Sequence, residues 1–119
     1  MEIIYRAFDG KEFDNEADCC YHESTINEGV KMWNREGKEV TNGDTRQGFV
    51  VYLRDTKANL AFHRMAEACG DEDVKSIVKG EDYGLYYWDE YFSEYHWIDA
   101  EEMMVLEKAI EYIRNRKED

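Results

Sequence analysis

Carboxylates and aromatic rings are concentrated in one stretch of this chain, from Gly80 to Glu107. The stretch holds nine Asp or Glu residues, eight Phe, Trp or Tyr residues and no Lys or Arg. The whole chain of 119 residues has a formal net charge of −13, so this stretch supplies much of the acidic excess. Carboxylates bind guanidinium and ammonium groups through charge-assisted hydrogen bonds, and exposed rings add apolar contact area. The combination predicts a surface that binds a positively charged partner.

The residues that we predict to bind this partner come from the stretch and from a short acidic run before it. Asp89, Glu90 and Glu94 are the foremost candidates, because they lie at a predicted hairpin turn where no helix start accounts for them. The acids at 99–107, in contrast, lie at the start of a predicted helix, where negative charge is stabilised by the positive end of the helix dipole. The full predicted set is Asp71, Glu72, Asp73, Glu81, Asp82, Tyr86, Trp88, Asp89, Glu90, Tyr91, Glu94 and Tyr95.

An alternative explanation assigns the same residues a purely structural role. In this interpretation Tyr87, Phe92 and Trp97 fill the hydrophobic core, and the acids form a solvated face that keeps the protein soluble. The sequence leaves both interpretations open.

Residue types that often carry catalysis are present, but their spacing matches no known catalytic pattern. His22, His63 and His96 are far apart and lie in no HExxH or Cys/His arrangement that fixes metal ligands. Cys19 is one helical turn from His22, yet the nearby carboxylates would raise the pKa of its thiol rather than lower it. We therefore predict a protein that is not an enzyme and binds no metal or cofactor. His63 is predicted to be a solvated side chain.

The composition argues against several classes of partner. An acidic excess of this size repels nucleic acid and anionic membrane, and the 15 Lys and Arg residues form no basic stripe. No apolar run is long enough to span a bilayer. The three cysteines have no CxxC spacing, which predicts free thiols in a reducing cytoplasm, with Cys20 and Cys69 buried. We expect a cytoplasmic protein that contacts neither nucleic acid nor membrane directly.

The strands that would position these residues alternate in β-branched and aromatic types. Gly48–Arg54 is apolar on both faces and predicts a central strand. Leu85–Trp88 and Glu94–Ile98 predict a hairpin with its turn near Asp89. Earlier strands are predicted at Glu2–Phe8 and, as a hairpin around Gly37, at Val30–Asn34 and Lys38–Thr41. For the Val30 segment, a helix through Trp33 is the competing interpretation.

Four helices are predicted from apolar periodicity and from capping residues. They run from about Asn15 to Glu28 after an Asp14 cap, from Asp55 or Thr56 to Cys69 before Gly70, from Asp71 to Gly80, and from Asp99 to about Arg116. In the short third helix, Val74, Ile77 and Val78 are expected to face inward. The sequence thus predicts one compact α+β domain over residues 1–119, a mostly antiparallel sheet with about four helices packed on one face.

The opening segment, IIYRAFDGKEFDNEADCCYHE, resembles the start of small acidic phage and prophage proteins, including some anti-CRISPR proteins that inhibit Cas nucleases. The shared pattern is a strand, an Asp-Gly turn, a Phe and an acidic helix start, and it covers Tyr5 to Tyr21. The resemblance implies a phage-encoded inhibitor in the host cytoplasm that mimics nucleic acid and blocks a basic site. It assigns no role to any individual residue.

Two hypotheses of function follow from these observations. The first is a non-enzymatic acidic protein that binds a basic protein, such as a Cas nuclease or another nucleic-acid-binding protein. The second is a homo-oligomeric structural or regulatory module, in its simplest form a homodimer, that buries the aromatic hairpin in a self-interface. A small enzyme or small-molecule binder with a tyrosine-rich pocket is a third hypothesis.

Overall fold

A computed structural model describes residues 3–7, 9–25, 29–40, 44–98 and 106–118 of the chain. These residues form an α+β domain, which confirms the predicted fold class. The elements are β1 (Tyr5–Arg6), β2 (Glu12–Phe13), α1 (Glu16–Thr25), β3 (Val30–Trp33), β4 (Glu39–Val40), β5 (Val50–Leu53), α2 (Thr56–Cys69), β6 (Gly84–Asp89), β7 (Glu94–Ile98) and α3 (Leu106–Glu118). Two 3₁₀ helices, Thr45–Gln47 and Asp73–Ser76, lie between them.

The main sheet has five antiparallel strands in the order β4-β3-β5-β6-β7, and β1 pairs with β2 in a separate two-stranded sheet. The predicted central strand is confirmed, because β5 lies in the middle of the five. Val50, Val51 and Leu53 are almost completely buried. Successive side chains of a strand point to opposite faces, so a strand that is apolar throughout requires cover on both faces.

Helix α2 covers one face of the sheet and begins and ends where the sequence predicts. The Asp55 carboxylate accepts a hydrogen bond from the backbone N–H of Ala58 at 2.9 Å, and Gly70 ends the helix at a φ of 80°. Phe62 and Met65 of α2 pack into a core cluster with strand residues such as Leu53.

Helix α3 covers the opposite face, which corrects the prediction that the helices pack on one face. Ala109 and Ile113 of α3 pack in a second core cluster with Val50, Leu85 and Ile98. The reason is the apolar character of both faces of β5 and β6, since either face alone would otherwise be exposed to water. The predicted start of this helix at Asp99 lies outside the described residues.

The third of the four predicted helices is a single 3₁₀ turn, so the described residues contain three α-helices. Val74 and Ile77 are buried as predicted, but Val78 is 50 % exposed. Ile77 has an extended backbone, with φ −99° and ψ 112°. Consecutive side chains on extended backbone point to opposite sides, so Ile77 faces the core and Val78 faces solvent.

Helix α1 differs from its prediction at its start and in its buried face. Asn15, rather than Asp14, caps the helix, because its Oδ1 accepts the N–H of Ala17 at 2.7 Å. The thiols are free, but Cys19 is the buried one, whereas Cys20 and Cys69 are half-buried. The predicted end of α1 at Glu28, the ends of the first predicted strand at Glu2 and Phe8, and Thr41 lie outside the described residues.

His63 is buried in α2, which corrects the prediction of a solvated side chain. Its ring Nε2–H donates a hydrogen bond to the carbonyl oxygen of Ile77, and its ring meets Phe62 edge-on at 6.3 Å between centroids. Burial lowers the pKa of His63 below its ordinary value, because the charged imidazolium loses its hydration. His63 therefore connects α2 to the segment that leads into β6.

The free energy of unfolding is expected to fall as the pH drops below about 6.5, the ordinary pKa of histidine. In this range the unfolded chain takes up a proton on His63 while the folded chain keeps the ring neutral, so acid favours unfolding. Between about pH 7.5 and about pH 5.5, His63 should lower the free energy of unfolding by at most about 1.4 kcal/mol. Urea denaturation at several pH values measures this loss. The His63→Gln variant should lose this part of the pH dependence. An NMR titration that places the folded pKa of His63 at or above the ordinary value would contradict the prediction.

Candidate partner-binding surface

The β6–β7 hairpin carries most of the residues predicted to bind a partner. Its register places Trp88 opposite Tyr95 and Asp89 opposite Glu94. Because side chains alternate along each strand, Asp89 and Glu94 share one face of the hairpin with His96, two residues further along β7. This face is the one that α3 covers further along the sheet.

The tip of the hairpin holds two aromatic rings in solvent. The Asp89 carboxylate accepts hydrogen bonds from the backbone N–H groups of Tyr91 at 2.9 Å and Phe92 at 3.4 Å. Ser93 closes the turn with a left-handed φ of 53°. Tyr91 is 88 % exposed and Phe92 is 61 % exposed, and their rings meet edge-on at 4.8 Å. Asp89 thus shapes the turn that presents both rings.

A cleft of about 360 Å³ lies beside this tip, where β3 ends and β5 begins. It contains charges of both signs, and these come from three separate segments of the chain. Its lining residues are Asn34, Arg35, Glu36, Thr45, Arg46, Gln47, Gly48, Phe49, Asp71, Asp73, Trp88 and Tyr95. Arg46 binds Asp44 through two hydrogen bonds of 3.0 and 3.1 Å, and these bonds hold the pKa of Asp44 below its usual range.

A second, smaller cleft of about 210 Å³ adjoins the first. It is lined by Arg35, Phe49, Tyr87, Trp88, Asp89, Glu90, Tyr91 and Ile113. Arg35, Phe49 and Trp88 line both clefts, so the carboxylates of the first cleft and those of the hairpin tip belong to one side of the molecule. We call this side the hairpin-end surface, formed by Arg35, Arg46, Phe49, Asp71, Asp73, Trp88, Asp89, Glu90, Tyr91, Phe92 and Glu94.

Arg35 lines both clefts of this acidic and aromatic region. Its guanidinium carbon is 4.9 Å from the centroid of the Phe49 ring, and the guanidinium forms an ion pair with Glu90. The β3–β4 turn positions it, because the Asn34 side chain accepts hydrogen bonds from the N–H groups of Glu36 and Lys38 at 2.9 and 3.1 Å. One predicted partner-binding carboxylate, Glu90, is therefore already paired within the chain.

Asp89 and Glu94 also lie close to the imidazole ring of His96. His96 Nε2 lies 3.3 Å from a Glu94 oxygen and 3.5 Å from an Asp89 oxygen, and it forms no hydrogen bond in the part of the chain that the structure describes. The His96 ring stacks on Tyr87 at 5.8 Å. The His96 ring therefore lies within 3.5 Å of two of the predicted partner-binding carboxylates.

Two of the predicted partner-binding rings are buried, and the structure removes them from the set. Tyr86 and Tyr95 are each 7 % exposed and belong to the core cluster beneath α2. The Tyr95 hydroxyl donates a hydrogen bond to the carbonyl oxygen of Gly48 at 2.9 Å, and burial raises its pKa well above the usual range. Conversely, Phe92 and Trp97 are exposed, which corrects the alternative that they fill the core. Trp88 is half-buried, between the core and the exposed surface.

Glu81 and Asp82 lie at the opposite end of β6 from the hairpin tip. Strand β6 has six residues, so its first and last residues are five steps of about 3.3 Å apart, which is roughly 17 Å. An Asp82 oxygen accepts the N–H of Val78 at 3.1 Å, so this side chain helps to close its own loop. Glu72 is exposed but does not line either cleft. The twelve predicted residues therefore do not form one continuous surface.

Sequence reasoning missed the basic and aromatic residues that complete the hairpin-end surface, namely Arg35, Arg46 and Phe49. No local pattern marks them, because Arg35 reaches Glu90 across 55 positions of the chain. Only the pairing of β3 with β5, and of β5 with β6, brings these segments together.

Comparisons of the chain with protein-family models, curated proteins and solved structures each give no match. Within the described ranges, no group of three or more His, Cys, Asp or Glu residues is arranged to hold a metal ion. None of the helices in those ranges combines the length and the apolar character that a membrane span requires.

Proposed function

We propose that this protein is a non-enzymatic acidic binding protein that occupies the basic nucleic-acid-binding site of a partner protein. A Cas nuclease or another host nuclease is the partner class we favour, with the protein acting as a phage-encoded inhibitor. The observation that carries the proposal is the hairpin tip, where the exposed rings of Tyr91 and Phe92 stand beside the carboxylates of Asp89, Glu90 and Glu94.

The physical argument combines long-range attraction with short-range anchoring. A net charge of −13 accelerates encounter with a basic surface and makes the association sensitive to salt. At contact, carboxylates replace phosphate oxygens as acceptors for Arg and Lys, while Tyr91 and Phe92 supply buried apolar area. The same charge repels nucleic acid itself, which is consistent with a mimic rather than a nucleic-acid-binding protein.

Reversing two charges at the hairpin tests the proposal. The double variant Glu90→Lys, Glu94→Lys is expected to weaken binding to a sensitive nuclease at least about 10-fold, since each exchange replaces attraction with repulsion at the contact. The measurement is competition with labelled DNA across a panel of Cas nucleases, at low and at high salt. The wild type should compete less well at high salt.

The matched control is Glu107→Lys, Glu111→Lys, which makes the same change of charge at two exposed positions of α3. This variant should lose only the part of the affinity for the nuclease that comes from the net charge of the protein. Equal losses in both double variants, or affinity that does not depend on salt, would contradict binding through the hairpin.

A second candidate function is self-association through the edge of the sheet. Strand β7 is the last strand of the five and pairs only with β6 among the described residues, and Trp97 on this strand is 59 % exposed. An exposed edge strand with a large ring offers both backbone hydrogen bonds and apolar area to a second copy. A stable dimer in light scattering that is lost in Trp97→Ala would favour this function over the first.

A further inference from the structure

The position of Arg35 shows how a cation fits the hairpin-end surface. Its guanidinium lies over the ring of Phe49 and pairs with the carboxylate of Glu90, at the junction of the two clefts. The adjoining cleft adds the rings of Trp88 and Tyr91. The chain therefore places one of its own arginines in surroundings that combine aromatic faces with negative charge.

These surroundings suit a guanidinium better than an ammonium group. A guanidinium is planar and weakly hydrated, so it stacks on a ring while its N–H groups still reach a carboxylate. An ammonium is compact and strongly hydrated, and it gains less from lying against a ring that is closed to water. Phe49 is a buried ring, 8 % exposed, so the cation that covers it loses water on that side.

The contact made by Arg35 is exposed enough to exchange with another cation. The Arg35 side chain is 44 % exposed and that of Glu90 is 57 % exposed. Ion pairs with this exposure are weak, because water and salt screen the charges and both side chains lose freedom when they pair. A partner's cation can therefore compete with Arg35 for Glu90 and Phe49.

We propose that the hairpin-end surface is an arginine-selective site and that Arg35 occupies it in the free protein. An arginine side chain of a basic partner displaces Arg35, stacks against Phe49 and pairs with Glu90. This inference rests on the proposed function, since it specifies which side chains of the basic partner the surface binds.

Binding of polyarginine and polylysine peptides of equal length, followed by isothermal titration calorimetry and by Trp fluorescence, tests the selectivity. The wild type is expected to bind the arginine peptide more tightly than the lysine peptide. The Arg35→Ala variant should bind the arginine peptide about 5-fold to 10-fold more tightly than the wild type, because it removes the competing cation. Arg35→Lys, which keeps the charge but loses the planar group, should also strengthen arginine binding.

The matched control is Arg6→Ala. Arg6 also forms an exposed ion pair with a glutamate, Glu12 at 2.8 Å, but belongs to β1. The Arg6→Ala variant changes the net charge by the same amount as Arg35→Ala. It should strengthen binding of the arginine peptide less than Arg35→Ala does. Equal affinity for the two peptides, or equal gains in the Arg6 and Arg35 variants, would overturn the inference.

The same experiments separate this inference from the proposed function. If arginine selectivity and the Arg35 effect are found but no nuclease is inhibited, the site stands and the nuclease hypothesis fails. If a nuclease is inhibited but arginine and lysine peptides bind alike, the hypothesis of nuclease inhibition stands and arginine selectivity fails.

Discussion

The Phe62→Ala variant is expected to lose about 3–5 kcal/mol of the free energy of unfolding, because it empties a large volume in the hydrophobic core. Phe62 is fully buried, and its ring packs edge-on against Tyr95 at 5.8 Å between centroids. Truncation removes apolar contact and leaves a cavity between α2 and the start of β7. Urea denaturation followed by circular dichroism measures the loss.

Phe92→Ala is the matched control for this change. It removes the same atoms from a ring that is 61 % exposed, so it should cost less than about 1 kcal/mol. It should instead weaken binding of a basic partner, because Phe92 belongs to the exposed tip. Similar destabilisation by the two substitutions would contradict the assignment of Phe62 to the core and Phe92 to the surface.

The Asn59→Ala variant is expected to lose about 2–4 kcal/mol of the free energy of unfolding. Asn59 is completely buried in α2 and holds the loop before β6 through both ends of its amide. Its Nδ2 group donates to the carbonyl oxygen of Asp82, and its Oδ1 accepts the backbone N–H of Gly80 at 2.7 Å. Alanine leaves both backbone groups without this partner in a partly buried region, which is costlier than losing a solvated hydrogen bond.

Asn115→Ala in α3 provides the control, because Asn115 is exposed on a helix. Alanine favours helix over asparagine, so this variant should be neutral or slightly more stable. Hydrogen exchange should show faster exchange at Gly80 and in the neighbouring loop of the Asn59 variant. Unchanged exchange there, or a loss of stability no larger than that of Asn115→Ala, would show that the Asn59 amide does not hold the loop.

The residues substituted in these variants fall into two groups, those expected to affect stability and those expected to affect binding. Phe62 and Asn59 act inside the fold, from α2, on the segments that position β6 and β7. Glu90, Glu94 and Arg35 lie at the hairpin-end surface, and their substitution should change binding while the free energy of unfolding changes little. Each binding assay is therefore paired with a denaturation curve, which distinguishes a lost contact from a lost fold.

Local signals in the chain were sufficient to predict several elements. Asp55 and Gly70 mark the ends of α2, because a carboxylate cap and a left-handed glycine act within one turn of the chain. Gly37 marks the β3–β4 hairpin for the same reason, with a φ of 79°. The apolar run of β5 predicted a central strand, since only a strand covered on both faces contains so few polar residues.

Only the folded structure determines whether a side chain faces the core or solvent. The same holds for which charged residues form ion pairs. Tyr86 and Tyr95 are buried while Phe92, which lacks their polar hydroxyl, is exposed, although all three belong to the same aromatic hairpin. Burial depends on the register between strands and on the helix that covers each face, and neither is encoded in local spacing.

The acidic stretch itself illustrates the same division. Its composition predicted attraction to a positive charge, because net charge is additive along the chain. Whether Glu90 and Asp89 are available, however, depends on Arg35 and His96, which the pairing of strands brings to them. The interaction between charges depends on distance in space rather than on separation in sequence. The sequence therefore specified the sign of the surface, and the fold specified its position and its internal partners.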